Sequence, residues 1–127
     1  MTSIRTPLKK VRGLGSAGAG AEHFWLQRIT ALANLFLVIL AIALVLHLSG
    51  SNYETVKATF ANPLVSILML ALILSGVIHM WLGMQSVIED YVHGDGARIV
   101  ALVLNRFFAI FIGLTSIFAV LKLGFGV

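Results

Sequence analysis

Long stretches of the chain are almost free of charge. No Asp, Glu, Lys or Arg falls between Arg28 and Glu54 or between Lys57 and Glu89, and Arg106 alone interrupts residues 99–121. Uncharged apolar runs beyond roughly 18 residues mark membrane-crossing helices. Breakers separate the runs: Ser49-Gly50-Ser51-Asn52 closes the first, and His93-Gly94-Asp95-Gly96 forms the turn before the third. Pro63 suits the first turn of a helix, where its missing N–H costs nothing. The pattern predicts spans over about residues 26–48, 63–88 and 97–121, with a short loop up to Asn62 between the first two. Residues 1–20 are basic and then rich in Gly, Ala and Ser, which reads as an irregular arm on the membrane surface. The expected fold is all-α and integral to a membrane: a cytoplasmic arm over residues 1–25, then a three-helix transmembrane unit over 26–123.

Composition agrees with this pattern. The 127 residues are 59% hydrophobic and 11% charged, against about 45–50% and 25% in soluble domains. Three spans use nearly the whole length, so an independent catalytic domain is excluded. Cysteine is absent, which removes disulfides, thiolate chemistry, Cys-ligated zinc and iron–sulfur ligation by this chain. Small residues on several helical faces let other helices approach closely, so a partner chain or self-association is expected.

The net charge of +4 raises the question of nucleic acid, but the placement of the charges answers it. Five of the nine basic residues, Arg5, Lys9, Lys10, Arg12 and Arg28, lie before or at the entry to the first span. Lys and Arg near span ends accumulate on the cytoplasmic side. With the N-terminus inside, that side holds these five and Arg98, six in all, against Lys57 and Lys122 outside. The expected topology is N-terminus cytoplasmic and C-terminus periplasmic, with His47 near the outer surface and the loop 89–98 beside the arm. Residues 1–20 lack the apolar core of a secretory signal. An organelle-import leader is the alternative reading of that basic, acid-poor segment. Gly13-Leu14-Gly15-Ser16-Ala17-Gly18 fits the dinucleotide-binding pattern, but that pattern needs a strand before it and a βαβ unit around it. Here it reads as a linker.

Of the residues that can carry chemistry, His79 is the most informative. It lies about 15 Å below the cytoplasmic end of the second span at a rise of ~1.5 Å per residue. Ionisable residues at such depth are rare and usually functional. Ser75, Gly76, Gly83 and Ser86 share its helical face. That row leaves a shallow groove able to take either a flat macrocycle, with the imidazole on its iron, or another helix. A haem held by two histidines would need the second from another subunit, because His23, His47 and His93 lie at or near span ends. The other cluster, Glu89-Asp90-Tyr91-Val92-His93, reads either as an ordinary helix end with an interfacial tyrosine or as a quinone site. In the second reading Tyr91 offers a hydrogen bond to a quinone carbonyl beside a carboxylate. Arg28 is a snorkelling anchor by default and a partner for haem propionates if haem sits near His79. Arg106 lies roughly 13 Å into the third span and could snorkel, pair with Asp90 or Glu89, or meet a cofactor carboxylate.

The stretch His79-Met80-Trp81-Leu82-Gly83-Met84-Gln85-Ser86-Val87-Ile88-Glu89-Asp90-Tyr91-Val92-His93 resembles the signature of the hydrophobic membrane anchor family of succinate dehydrogenase, respiratory complex II. Glu22-His23-Phe24-Trp25-Leu26-Gln27-Arg28-Ile29-Thr30-Ala31 is similar to that family's entry to its first helix. The resemblance implies that His79 is an axial ligand of haem b, opposed by a histidine of the sister cytochrome b556 subunit. It implies that Asp90 and Tyr91 belong to the ubiquinone site, and that Arg28, with His23, lies near the haem propionates. It further implies a flavoprotein subunit carrying FAD and an iron–sulfur subunit as partners. The chain would then be a non-autonomous part of the enzyme in a bacterial inner membrane, without a complete active site of its own. A mitochondrial inner membrane is the alternative location. Rival readings are a quinol-oxidising anchor of the fumarate reductase type, a small self-assembling transporter, and an assembly factor without haem.

Overall fold

The computed structural model describes residues 6–8 and 18–126. Most of the predicted arm, including Arg5, Lys9, Lys10, Arg12 and most of the glycine-rich linker, lies outside the described residues. Among the described residues every extended element is helical: α1 (Gly18–Leu48), α2 (Tyr53–Ala61), α3 (Pro63–Tyr91) and α4 (Asp95–Gly124). Three of them, α1, α3 and α4, are long and apolar enough to cross a membrane. At ~1.5 Å per residue each exceeds the ~30 Å of a hydrocarbon core.

The helix ends follow local chemistry. Asn52 caps α2, its side chain accepting from the Thr55 N–H at 3.0 Å. Asn62 ends α2 and caps α3 with a bond from the Leu64 N–H at 3.0 Å, and Pro63 fills the first turn, where proline needs no partner for its nitrogen. Gly50 adopts φ 77° in the turn after α1, a left-handed conformation that favours glycine. At the other end of the bundle, Arg98 Nε donates to the Val92 carbonyl at 3.0 Å and ties α4 to the turn that precedes it.

Two elements differ from the sequence reading. The segment read as a loop after Asn52 is mostly the short helix α2, whose Phe60 is buried. The first helix starts at Gly18, so residues 18–25 continue it.

The helix α3 is central, with α1 packed along one side and α4 along the other. Little of the apolar surface is covered within the chain. Among the described residues the buried apolar side chains are Phe60, Leu82, Ile88, Ala109 and Val120, while Leu32, Phe36, Ile39, Phe107, Phe111 and Phe118 are exposed. Helices apolar on most faces belong in lipid or against other membrane helices, and this row of three presents such faces on both sides.

Candidate functional site

The α1–α3 contact is built from polar side chains in an otherwise apolar setting. Along α1, His23, Gln27, Thr30 and Asn34 recur at spacings of four, three and four, which places them on one helical face. Along α3, the facing row is Ser75, His79, Gly83 and Ser86. The two rows meet in antiparallel order. Ser75 Oγ donates to the Thr30 carbonyl at 3.2 Å, and Thr30 Oγ1 lies 3.1 Å from His79 Nδ1. A Cβ placed on Gly83 would stand 3.3 Å from Gln27 Nε2, and Ser86 Oγ is 3.5 Å from His23 Nε2. Most of the small-residue row therefore seats a helix of the same chain.

The exception is Gly76, one turn before His79, where an added Cβ would meet nothing within 4 Å. Beside the helix contact lies a cavity of about 440 Å³, lined by Gly20, His23, Phe24, Gln27, Arg28, Ala31 and His79. It brings together His79, Arg28 and His23, residues that the sequence separates by as many as 56 positions. The Arg28 guanidinium sits 4.8 Å from the centre of the Phe24 ring, a cation–π contact. Gln27 Oε1, in the wall of the same cavity, is buried without a hydrogen-bond partner.

The remaining predicted residues lie elsewhere. Asp90 and Tyr91 end α3, both exposed, with Tyr91 at 76%. They do not line the cavity. One turn before them, Gln85 Nε2 donates to Glu89 Oε1 at 3.0 Å. His47 lines an apolar pocket of about 280 Å³ at the opposite end with Leu44, Val65 and Met69, and His93 is exposed in the turn. Arg106 makes a contact outside the three roles considered from the sequence: its guanidinium lies 5.2 Å from the Trp81 ring centre. Among the described residues no three His, Cys, Asp or Glu side chains gather to hold a metal ion.

Two residues at this core were missed from the sequence. Thr30 is buried at 6% and contacts His79, and Asn105 is buried at 8%, its Nδ2 donating to the Trp81 carbonyl at 3.1 Å. The polar periodicity 23, 27, 30, 34 along α1 was the signal for Thr30.

Comparison with known proteins adds independent findings. Residues 2–120 match the model of the succinate dehydrogenase/fumarate reductase transmembrane subunit family. The chain is 29% identical to the succinate dehydrogenase hydrophobic membrane anchor subunit of Paracoccus denitrificans, covering 95% of this chain and 93% of that one. It is also 29% identical to the subunit of the same name from Rickettsia bellii, covering 95% and 97%. With the succinate dehydrogenase membrane anchor subunit of Reclinomonas americana it shares 32% identity, over 72% of this chain and 79% of that one. No solved structure matches the chain.

Proposed function

The chain belongs to the succinate dehydrogenase/fumarate reductase transmembrane subunit family as a multi-pass membrane anchor of succinate dehydrogenase, and we propose that it holds haem b jointly with a sister anchor subunit and forms part of the ubiquinone reduction site. The observation that carries this reading is the cavity whose walls bring His79, His23 and Arg28 together. His79 would supply one axial nitrogen, and a histidine of the cytochrome b556 subunit the other. Arg28 and His23 would pair with the propionates, a charge-assisted contact stronger than a neutral hydrogen bond. When bound, haem b supplies a one-electron store within the membrane.

Tyr91 and Asp90 do different work. The Tyr91 hydroxyl donates to a quinone carbonyl oxygen and stabilises the negative charge that collects there as electrons arrive from the iron–sulfur subunit. Asp90 orients that hydroxyl or relays protons from water. Their exposure at the end of α3 fits a site completed by partner subunits. The flavoprotein subunit, with its FAD, oxidises succinate outside the membrane. The names of the relatives, all succinate dehydrogenase anchors, favour this direction over the quinol-oxidising, fumarate reductase type. The location that goes with it is a bacterial inner membrane, with the N-terminus cytoplasmic.

The test uses the purified complex. His79→Ala should abolish the haem b spectrum, and an unchanged six-coordinate spectrum would overturn the ligand assignment. Tyr91→Phe should slow quinone reduction while succinate oxidation by a soluble artificial acceptor survives. An equal fall in both activities would sink the quinone role.

A further inference from the structure

We infer that Thr30 is a positioning residue for His79: its hydroxyl accepts the Nδ1–H of the imidazole, and this fixes the tautomer in which Nε2 alone carries a lone pair for iron. The inference deepens the haem reading above and rests on it.

The argument is a count of hydrogens. A threonine hydroxyl has one hydrogen and two lone pairs. Thr30 Oγ1 lies 2.6 Å from the Leu26 carbonyl and 3.3 Å from that of Gln27, and both of these oxygens are acceptors only. The hydrogen is therefore committed to the α1 backbone, most closely at Leu26. Its third neighbour, His79 Nδ1 at 3.1 Å, must then be the donor. A neutral imidazole with its hydrogen on Nδ1 has its free lone pair on Nε2. An imidazole that donates its other N–H to a fixed acceptor is also a more basic ligand with a defined ring orientation.

The acceptor is held in place from both helices. Thr30 is buried, its hydroxyl is anchored to its own helix, and its carbonyl accepts from Ser75 Oγ one turn before His79. Loss of the hydroxyl would leave Nδ1–H without an acceptor and free the ring to rotate. Partners of this kind typically contribute about 10–100-fold to the affinity of a metal site.

The experiment compares Thr30→Val, Thr30→Ala, Thr30→Ser and His79→Ala in the assembled complex. Haem retention is read as transfer to excess apomyoglobin, and the haem midpoint potential by redox titration of its absorbance. Both hydroxyl-free variants should lose haem at least ~10-fold faster. Their midpoint should move upward, because a less basic ligand stabilises ferric iron less. Thr30→Ser should behave as the unaltered complex. Three results would overturn the inference. One is unchanged retention and potential in Thr30→Val and Thr30→Ala while His79→Ala lacks haem. Another is Thr30→Ser behaving as Thr30→Val. The third is failed assembly of both hydroxyl-free variants with normal assembly of Thr30→Ser, which would assign the hydroxyl to helix packing alone. A haem spectrum that survives His79→Ala is a separate outcome and sinks the haem reading itself.

Discussion

Asn105 and Arg106 are adjacent in α4 and solve the same problem in different ways. A polar group in hydrocarbon needs a partner. Asn105 is buried and donates to the Trp81 carbonyl across the α3–α4 contact. Interhelical hydrogen bonds in membranes average about 0.6 kcal/mol and reach about 1.7. Asn105→Leu is therefore expected to cost roughly 1 kcal/mol, read as a small shift in the detergent concentration that unfolds the purified complex. A loss of several times that size would assign Asn105 a role beyond joining two helices. Arg106 is exposed and lies over the Trp81 ring. A cation–π contact at an exposed site is worth about 0.5–1 kcal/mol, against an insertion cost of about 2.5–3.5 kcal/mol for arginine at mid-membrane. The ring therefore offsets only part of that cost.

At the scale of the elements, the contrast between Gly83 and Gly76 separates packing within the chain from space left for something else. Both lie near His79 on α3, and sequence alone gives them the same meaning. A Cβ at Gly83 would press on Gln27 Nε2, the far end of a flexible side chain, at 3.3 Å. Gly83→Ala should therefore be tolerated, whereas Gly83→Leu should force α1 away from α3 and lower the yield of assembled complex. Gly76→Leu projects into open space and should leave the chain's own fold intact while displacing whatever fills that space in the complex. Loss of haem with normal helix content is the expected result. Normal haem content in Gly76→Leu would show that the open space does not serve the cofactor. The three long helices were legible because uncharged apolar runs of that length have one stable solution in a bilayer. The short helix α2 was not, although its cap residue Asn52 was visible. Nine residues with one buried side chain form a helix only when tertiary packing offsets the cost of nucleation. The start of α1 was equally hard to read, because glycines costing up to about 1 kcal/mol each weaken a helix. Cooperative extension from a long stable segment carried it through Ala19, Ala21 and Glu22. For the site, the place of His79 well inside a long apolar helix was readable from sequence. The pairing of the small-residue row with Gln27 and Thr30 was not, since only the fold sets the register of α1 against α3.

For the whole molecule, orientation in the membrane turns on residues at the two ends of the bundle. One end gathers the start of α1 and the α3–α4 turn, joined by the His23–Ser86 approach, and carries Arg28 and Arg98. The other carries Lys57 and Lys122, and there the chain's last turn returns to α2: a Cβ on Gly126 would lie 3.6 Å from Lys57 Cε. Among the described residues the basic count at the helix ends, Arg106 within α4 aside, is thus two against two, which sets no direction. The four basic residues of the arm, Arg5, Lys9, Lys10 and Arg12, break the tie, and the positive-inside rule then favours the cytoplasmic N-terminus proposed above. The cysteine-free sequence makes this directly measurable. A single cysteine introduced as Ser3→Cys should resist a membrane-impermeant thiol reagent applied to intact cells, and Val127→Cys should react. Neutral replacement of the four arm residues should yield a mixed population in which both positions are partly labelled. Labelling of Ser3→Cys alone in the otherwise unaltered chain would reverse the topology and move Tyr91 and Asp90 to the outer face, away from the electron-donating subunits on which their proposed role depends.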